Sequence, residues 1–415
     1  MRIGRTSPRR VVWTALKGWL VAVTSIIVAL TGTSKVRKLS RAQRGDGFPR
    51  TPPTEVPING STTITTYTYG ADLYEDMLTA IAGAQERILF ETFIIKGDAV
   101  GKRFRRALIR AADRGVEVWV VYDGFANLVV SPSFLRFPAP VQVLRYPLLS
   151  GWMVFNPRRW GRDHRKILVV DDTAAFVGGF NVGSEYATRW RDTHLKVEGG
   201  SVWDLDNAFV DFWNLNARRR RLPMLKDRGS PSWDPHVRAH RNVPRQLVFP
   251  IRNMYLEAID RAADRIYLTA AYFIPDHDIL QALKDACARG VDVRILVPEV
   301  SNHVVADWLS RGFYGELLRS GVRIFRYRDA MVHAKTATID GRWSTVGTAN
   351  IDRLSLTGNY EINLEIHDDD LAKHLEVVFA NDLGQASELT RDEWESRPVV
   401  ARACELLLAP LRSLL

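Results

Sequence analysis

Apolar residues recur every three or four positions in several stretches of the chain, and short β-branched runs follow them. The pattern predicts, in order, helix Tyr74–Ala84, strand Arg87–Ile95, helix Gly101–Arg114 and strand Val116–Tyr122. The same order returns as helix Met254–Ala263, strand Arg265–Ile274, helix Asp276–Arg289 and strand Val291–Val297. Strands that alternate with helices predict α/β architecture, and the repetition predicts two related halves.

The first 60 residues form a separate region. Gly18–Ser34 is uncharged and, with Val11–Leu16, makes an apolar stretch interrupted by Lys17, with arginines and lysines on both flanks. Its length reaches the roughly 20 residues that span a bilayer, so we favour a membrane anchor, spanning or interfacial. A signal peptide and a helix covering the fold are the alternatives; no A-x-A cleavage pattern follows the apolar run. We predict domains at 1–60 (membrane segment and linker), 61–235, 236–400 and an apolar tail at 401–415.

Each half carries the same group of chemically active residues. His164, Lys166 and Asp171 are spaced H-x-K-x4-D, and His333, Lys335 and Asp340 repeat that spacing. Every pair is 169 residues apart (333 − 164, 335 − 166, 340 − 171), and so are Gly178 and Gly347, and Asn181 and Asn350. The duplication predicts a single active site built from two similar halves.

A histidine with a lysine two residues away, presented twice, suits phosphoryl chemistry. One imidazole attacks phosphorus while the other protonates the leaving oxygen. The lysines, together with Asn181 and Asn350 as hydrogen-bond donors, stabilise the charged phosphoryl oxygens. Each motif is predicted to lie on a hairpin whose return strand brings the glycine and asparagine beside the histidine.

The carboxylates of the pattern separate into two groups. Asp171 lies about 23 Å beyond His164 along an extended strand, so a turn role is favoured for Asp171 and Asp340. Asp192 and Glu361 are also 169 apart (361 − 192), and we predict that they orient the histidines. The alternative is that they are polar residues on solvated strand faces.

The doubled motif resembles that of the phospholipase D superfamily, and the two segments around it resemble bacterial cardiolipin synthases over roughly Thr65 to Asp382. The single apolar N-terminal stretch is closer to the shorter branch, cardiolipin synthase B. The resemblance implies two pseudo-symmetric repeats, each a mixed sheet flanked by helices, with the active site between them. It implies that His164, Lys166, Asp171, His333, Lys335 and Asp340 form the catalytic motif, without metal or other cofactor, through a phosphohistidine intermediate.

The net charge and the cysteine content of the chain indicate which binding partners and which compartment to expect. The chain has 415 residues and a net charge of +10, which favours an anionic membrane surface or nucleic acid. The two cysteines, Cys287 and Cys404, match neither a metal pattern nor a disulfide framework. The expected function is a membrane-associated phosphatidyltransferase that makes cardiolipin from phosphatidylglycerol and a second phospholipid. The expected place is the bacterial inner or plasma membrane, with the catalytic domain in the cytoplasm.

Three other functions are alternatives to the phosphatidyltransferase. A phospholipase D would pass the phosphatidyl group to water, and a phosphodiesterase would act on nucleic acid, which the apolar N-terminus disfavours. A non-catalytic lipid-binding protein is disfavoured because both motifs are intact.

Two further segments each have two interpretations. The segment Phe134–Gly161 is either a packed loop with a strand at Val141–Tyr146 or a rim that contacts lipid. Its aromatic and basic residues are Trp152, Phe155, Arg158, Arg159 and Trp160. Arg218–Arg221 is either a solvated linker or an anionic-lipid contact.

Overall fold

The structure is a computed structural model, and it describes residues 8–44, 47–148, 161–229 and 234–414. Residues 149–160, which include Trp152, Phe155, Arg158, Arg159 and Trp160 of the predicted rim, lie outside the described residues. The strand predicted before them is present as Gln142–Tyr146.

The first half begins after one long N-terminal helix. Its elements are α1 (Pro8–Arg44), β1 (Thr54–Ile58), β2 (Thr62–Tyr67), α2 (Gly70–Gly83), β3 (Arg87–Thr92), α3 (Ala99–Asp113), β4 (Glu117–Asp123), β5 (Gln142–Tyr146), β6 (Ile167–Val170), β7 (Ala174–Gly178), α4 (Ser184–Thr188), β8 (Trp190–Arg191), β9 (His194–Gly199) and α5 (Val202–Ala217). A 3₁₀ turn at Arg218–Arg220 ends α5.

The second half repeats this order and adds a helical C-terminus. Its elements are β10 (Val237–Arg241), α6 (Pro250–Arg261), β11 (Arg265–Ala270), β12 (Phe273–Ile274), α7 (His277–Ala288), β13 (Asp292–Pro298), α8 (Val304–Arg319), β14 (Arg323–Tyr327), β15 (Met331–Val332), β16 (Lys335–Ile339), β17 (Trp343–Gly347), β18 (Ile351–Asp352), α9 (Arg353–Thr357), β19 (Ile362–His367), α10 (Asp369–Leu383), β20 (Ala386–Leu389), α11 (Arg391–Glu395) and α12 (Val399–Leu408).

Two eight-stranded mixed sheets form the body of the molecule. The first has the order β1-β2-β9-β7-β6-β3-β4-β5, and the second β10-β19-β17-β16-β11-β13-β14-β20. Six strands of the first sheet, β9-β7-β6-β3-β4-β5, correspond one to one to six of the second, β19-β17-β16-β11-β13-β14. In both sheets the last three of these strands are parallel, and the motif hairpin, β6-β7 or β16-β17, is antiparallel. The predicted α/β fold of two pseudo-symmetric repeats is therefore confirmed.

A shared core joins the two halves. Buried residues of the first sheet and α5, such as Val177, Leu195 and Phe209, pack in one cluster with Val346 and Leu364 of the second sheet. Since both sheets contribute to this cluster, the two halves are held at a fixed distance, and their motif hairpins meet at one place.

Strand β1 lies in a stretch that was predicted to be a linker. The sequence placed residues 54–58 in a proline-rich linker, but β1 pairs with β2 at the edge of the first sheet. Pro57 is tolerated there because an edge strand leaves backbone N–H groups unpaired on one side. Residues 54–58 therefore belong to the first sheet, and helix α12 spans residue 400.

Helix α1 packs along the body of the second half. Val23 is buried in a cluster with Leu309 of α8 and Leu408 of α12, and Trp19 Nε1 donates to the backbone oxygen of Leu407 at 3.1 Å. The partly buried positions Trp19, Ile26, Ile27 and Leu30 follow the helical period on the same face. The predicted apolar tail therefore contributes to packing through Leu408.

Candidate active site

The two motif hairpins have the same turn, and their aspartates fix the loop before a neighbouring strand. The Asp171 carboxylate accepts hydrogen bonds from the backbone N–H groups of residues 85, 86 and 87 at 2.7, 2.8 and 2.9 Å. Asp340 accepts from residues 263, 264 and 265 at 2.9, 2.9 and 2.8 Å. Both stand at the far end of their strand from the histidine, in the left-handed conformation (φ 51° and 54°). Both carboxylates therefore bind backbone N–H groups of the loop before a neighbouring strand.

Each histidine is held by a backbone bridge to the opposite half. His164 N–H donates to the Tyr360 oxygen at 3.0 Å, and His333 N–H donates to the Arg191 oxygen at 2.7 Å. The repeat offset relates the two bridges, since 333 − 164 and 360 − 191 both equal 169. Strand β15 pairs with β8 beside the second bridge. The histidines are therefore fixed by contacts that neither half could make alone.

Glu361 and Asp192 also contact the histidine of the opposite half. Nδ1 of His164 lies 2.9 and 3.0 Å from the two carboxylate oxygens of Glu361, and Nδ1 of His333 lies 2.7 Å from Oδ2 of Asp192. The structure therefore brings together the predicted histidines and orienting carboxylates, each pair formed between halves. With Nδ1–H donated to a carboxylate, each Nε2 is left as the reactive nitrogen.

The two pairs differ in charge. Burial raises the pKa of Glu361 to about 7. Burial also acts to raise the pKa of Asp192, but Lys335 and His333 outweigh it, and that pKa is lowered overall. Burial lowers the pKa of His164 well below its usual value and that of His333 to about 3. Both imidazoles are therefore neutral at pH 7 before an anion binds, and His333 has the more fully ionised partner.

The motif lysines are buried beside their histidines. Lys166 Nζ donates to the His164 backbone oxygen at 2.7 Å, and Lys335 Nζ donates to that of His333. Burial lowers the pKa of Lys166 to about 7 and that of Lys335 to about 8. Two weakly solvated ammonium groups are well suited to a phosphoryl anion, because its charge replaces the water they lack.

The glycines make room for side chains on the third strand of the ladder. A Cβ on Gly178 would lie 2.8 Å from His194 Cγ, and one on Gly347 would lie 2.3 Å from Asn363 Oδ1. His194 is buried, and neither ring nitrogen has a hydrogen-bond partner among the described residues. Burial lowers the pKa of His194 to about 3, so it is a neutral packing residue behind the site.

The two predicted phosphate-binding asparagines are buried in equivalent places. Asn181 accepts a hydrogen bond from the backbone N–H of Ile94 at 3.2 Å through Oδ1. Its backbone oxygen accepts from the Tyr74 hydroxyl, which fixes the segment. Asn350 is 3% exposed, and its Oδ1 has no partner within the part of the chain that the structure describes. Neither amide nitrogen is committed to a described partner, so both can serve a ligand.

Aromatic rings wall the two histidines. The Phe93 ring lies 4.8 Å from the His164 ring and the Trp190 ring 5.0 Å from the His333 ring, both edge to face. Tyr272 lies 6.4 Å from His333. None of these three rings could be predicted from the sequence pattern, since each is an ordinary aromatic residue at a strand end and none repeats at the 169 offset.

Two further residues missed by the sequence analysis hold Glu361. The Thr348 hydroxyl donates to its Oε2 at 2.6 Å, and Asn359 Nδ2 lies 3.4 Å from its Oε1. The repeat offset places Gly179 where Thr348 stands (348 − 169), and a Cβ on Gly179 would lie 2.0 Å from Asp192 Oδ1. This exchange of threonine for glycine within an otherwise matching motif was the signal that could have found Thr348.

Taken together, these residues can perform a double displacement at phosphorus. Lys335 is close enough to help lower the pKa of His164, and Lys166 that of His333. The two histidines therefore lie in one site, where one imidazole can attack and the other can transfer a proton. Among the described ranges, no three His, Cys, Asp or Glu side chains are grouped so as to hold a metal ion.

Comparison with known proteins identifies similar sequences and folds. The chain matches the family described as "Cardiolipin synthase, PLD-like domain" over residues 77–213 and 255–383. It is 34% identical to the major cardiolipin synthase ClsA of Bacillus subtilis (strain 168) over 364 residues, which cover 83% of this chain and 74% of that protein. It is also 34% identical to a cardiolipin synthase of Staphylococcus aureus (strain N315), over 80% of this chain and 69% of that one.

A solved structure shares the fold. The phosphatidylserine synthase of Haemophilus influenzae Rd KW20 superposes with a TM-score of 0.65, over 90% of this chain and 97% of that chain, at 15% sequence identity. At that identity the likeness concerns the fold alone.

Proposed function

The chain belongs to the cardiolipin synthase, PLD-like domain family, and on that premise we propose that it is a membrane-associated phosphatidyltransferase that makes cardiolipin from phosphatidylglycerol and a second phospholipid. The observation that carries the proposal is the crossed pairing of His164 with Glu361 and of His333 with Asp192. A phosphodiester bound between the histidines would contact one nucleophile and one acid, each with its own orienting carboxylate.

In the first step, His164 Nε2 attacks phosphorus of the donor phospholipid. The bond from phosphorus to the headgroup oxygen breaks, and His333 delivers a proton to that oxygen. In the second step, His333 takes the proton from the hydroxyl of phosphatidylglycerol, whose oxygen attacks phosphorus and releases His164. The lysines and asparagines hold the phosphoryl oxygens through both steps.

The assignment of the two histidines follows from their partners. An acid must carry a positive charge before it acts, and the ionised Asp192 stabilises an imidazolium at His333. Glu361, whose pKa is raised to about 7, is a weaker anion beside His164. Burial lowers the pKa of His333 to about 3, and the negative charge of a bound phosphodiester would raise it. His164 is thus the better nucleophile and His333 the better acid and base.

Membrane attachment is proposed to be interfacial, through helix α1. One candidate membrane span was found among the described residues, Leu16–Val36. Its inner face packs on α8 and α12 of the second half, so the helix cannot cross a bilayer without drawing charged helices into lipid. Its outer face has no charge between Gly18 and Ser34, and Leu20, Val21 and Val28 are 49%, 67% and 67% exposed. Such a face is suited to the interface.

The basic flanks of α1 support a cytoplasmic location at the bacterial plasma membrane. Arginines and lysines before and after the uncharged stretch would meet the anionic lipids of the inner leaflet. Alkaline carbonate treatment of membranes that carry the full chain tests this mode. An interfacial helix is released, whereas a spanning helix stays in the pellet.

An assay with labelled phosphatidylglycerol tests the function. Purified protein should convert the lipid in vesicles to cardiolipin with release of glycerol. Formation of phosphatidic acid without cardiolipin would make the protein a hydrolase, and the absence of both products would reject the enzyme function with this donor. Chelation with EDTA should leave the rate unchanged, because the proposed steps use side chains alone.

A further inference from the structure

A cavity of about 810 Å³ lies beneath the C-terminal half of α1. Helix α1 covers it, α8 and the ends of the parallel strands β11, β13 and β14 form its floor, and the α11–α12 segment closes one side. We call it the α1 chamber and define it by six of its lining residues: Ser34, Trp308, Arg311, Arg326, Arg328 and Trp394. Its volume is within the range of small-molecule binding sites.

The chamber contains polar atoms that the protein leaves unsatisfied. The Ser34 hydroxyl is buried at 7% exposure, and no described residue bonds to it. Nε of Arg326 is likewise buried and unbonded, although another nitrogen of that guanidinium donates to Glu393 at 2.7 Å. Buried polar atoms in native proteins are almost always bonded, so these two atoms point to a ligand with hydrogen-bonding oxygens.

The arginines of the chamber differ in whether a carboxylate binds them. Arg311 and Arg397 both donate to Glu405, at 2.9 Å and at 2.9–3.0 Å. Within the described residues, the exposed guanidinium of Arg328 bonds to no side chain. The apolar surface comes from Trp308 and Trp394, which lie 4.7 and 5.2 Å from the Arg311 guanidinium. The cavity thus holds both aromatic surface and, at Arg328, a cation with no side-chain partner among the described residues, and this combination is complementary to an amphiphile with an anionic headgroup.

The chamber connects the two functional parts of the protein. Ala271 and Phe273 line it, and they flank Tyr272, whose ring lies 6.4 Å from that of His333. At the other end it is bounded by Leu30 and Thr33 of the helix that we assign to the membrane interface. A lipid entering beside α1 would therefore pass through the chamber before it reached the histidines.

We propose that the α1 chamber binds an anionic glycerophospholipid taken from the membrane, with its phosphate at Arg328 and Arg326 and the upper part of an acyl chain against Trp308. This inference rests on the proposed function, because it names the route by which the lipid substrate enters the same active site.

Two variants and their matched controls test the proposal kinetically. Ala401→Trp would place an indole in the chamber and narrow it, and Ala403→Trp, at an exposed position two residues further along α12, is its control. Arg328→Gln would remove the phosphate contact, and Arg342→Gln, an exposed hairpin arginine away from the chamber, is its control. Each is assayed with long-chain phosphatidylglycerol in vesicles and with dihexanoyl phosphatidylglycerol in free solution.

The expected results differ between the variants. Ala401→Trp should lower kcat/KM about tenfold for the long-chain lipid and leave the short-chain substrate unaffected, since only the long chain needs the filled volume. Arg328→Gln should raise KM for both lipids by about tenfold, the effect of one charged contact. Unchanged kinetics in both variants, or equal losses for Ala401→Trp and Ala403→Trp, would overturn the proposal.

A binding measurement separates this proposal from the proposed function. The His164→Ala variant of the full chain is mixed with phosphatidylglycerol that carries a photoreactive group on its acyl chain. Cross-links should fall on residues 304–314 and 394–401 and be lost in the Ala401→Trp background. Cross-links elsewhere would reject the chamber even if cardiolipin is made. Cross-links in the chamber without cardiolipin synthesis by the wild type would reject the function and keep the lipid site.

Discussion

Nδ1 of His164 lies 2.9 Å from Oε2 of Glu361, a residue 197 positions further along the chain and in the opposite half. The pseudo-symmetric contact joins His333 to Asp192 at 2.7 Å. Each half therefore supplies a histidine to its own hairpin and a carboxylate to the other half's histidine. This exchange means that the duplicated motif works only when both halves are docked.

The crossed carboxylates should control turnover without controlling the fold. Glu361→Gln and Asp192→Asn each keep the shape of the side chain but no longer fix the Nδ1–H tautomer. We expect kcat to fall by about 10³–10⁴-fold, with melting temperatures near that of the wild type. Turnover and thermal melting are measured on the same preparations. Near-normal turnover in either variant would show that its histidine does not depend on the opposite half.

The two histidines should fail in different ways. His164→Ala removes the nucleophile, so labelled phosphatidyl groups should not become attached to the protein. His333→Ala keeps the nucleophile but lacks the acid and base, so turnover stops while an acid-labile phosphatidyl adduct can accumulate with a donor that has a good leaving group. Gel autoradiography after acid and alkaline treatment distinguishes them. An adduct on His164→Ala and none on His333→Ala would reverse the assignment.

The motif aspartates should affect stability rather than chemistry. Asp171 accepts three backbone N–H bonds, and Asp171→Asn would place an amide NH₂ against them. We expect a loss of about 1–3 kcal/mol in unfolding free energy, since three backbone N–H groups lose their hydrogen bonds to a charged acceptor, and a largely retained kcat. Asp113→Asn, at an exposed position, is the control. A folded but inactive Asp171→Asn would return this residue to the catalytic group.

Much of the site could be predicted because repetition carries information. The 169-residue offset identified Asp192 and Glu361 as equivalent, and the strand period separated Asp171 from His164. The offset could not reveal that the carboxylates cross between halves, because equivalence says nothing about which partner a side chain faces. The helices and strands of the βαβ units were predicted to within a few residues. Strand β1 was missed because its proline suggested a linker, and an edge strand tolerates proline.

The pH dependence should show an alkaline decline. Burial lowers the pKa of Lys166 to about 7 and of Lys335 to about 8, so in the free enzyme both ammonium groups are charged at acid pH and lose their protons through this range. Because the charged forms bind the phosphoryl oxygens, kcat/KM should fall as pH rises above about 7–8. A bound phosphodiester raises both pKa values, so kcat should decline at higher pH than kcat/KM. A kcat/KM profile that stays flat from pH 7 to 9 would contradict this.

A buried ionic cluster behind His164 provides the last prediction. Arg165 donates to Glu91 at 2.6 and 3.0 Å, and its Nε lies 3.5 Å from Asp163 Oδ1. Both oxygens of Asp163 are without a hydrogen-bond partner in the described part of the chain. Arg165→Met would leave two buried carboxyl groups without their cation. We expect a loss of about 3–5 kcal/mol in unfolding free energy. Arg323→Met, which breaks a half-exposed pair with Glu388, should cost about 1 kcal/mol or less.

The second half has uncharged residues at the positions equivalent to Asp163, Arg165 and Glu91. The 169 offset places Val332 and Ala334 at the positions of Asp163 and Arg165, and the aligned strands β3 and β11 place Thr269 at that of Glu91 (269 − 91 equals 265 − 87). A triple variant that copies these residues removes the charges together, and uncharged replacements of buried ion groups are often neutral. It should therefore be more stable in urea unfolding than Arg165→Met alone. If the triple variant is as unstable as the single one, the destabilisation comes from lost packing of Arg165 against Phe212, 4.4 Å from its guanidinium, and not from unpaired charge.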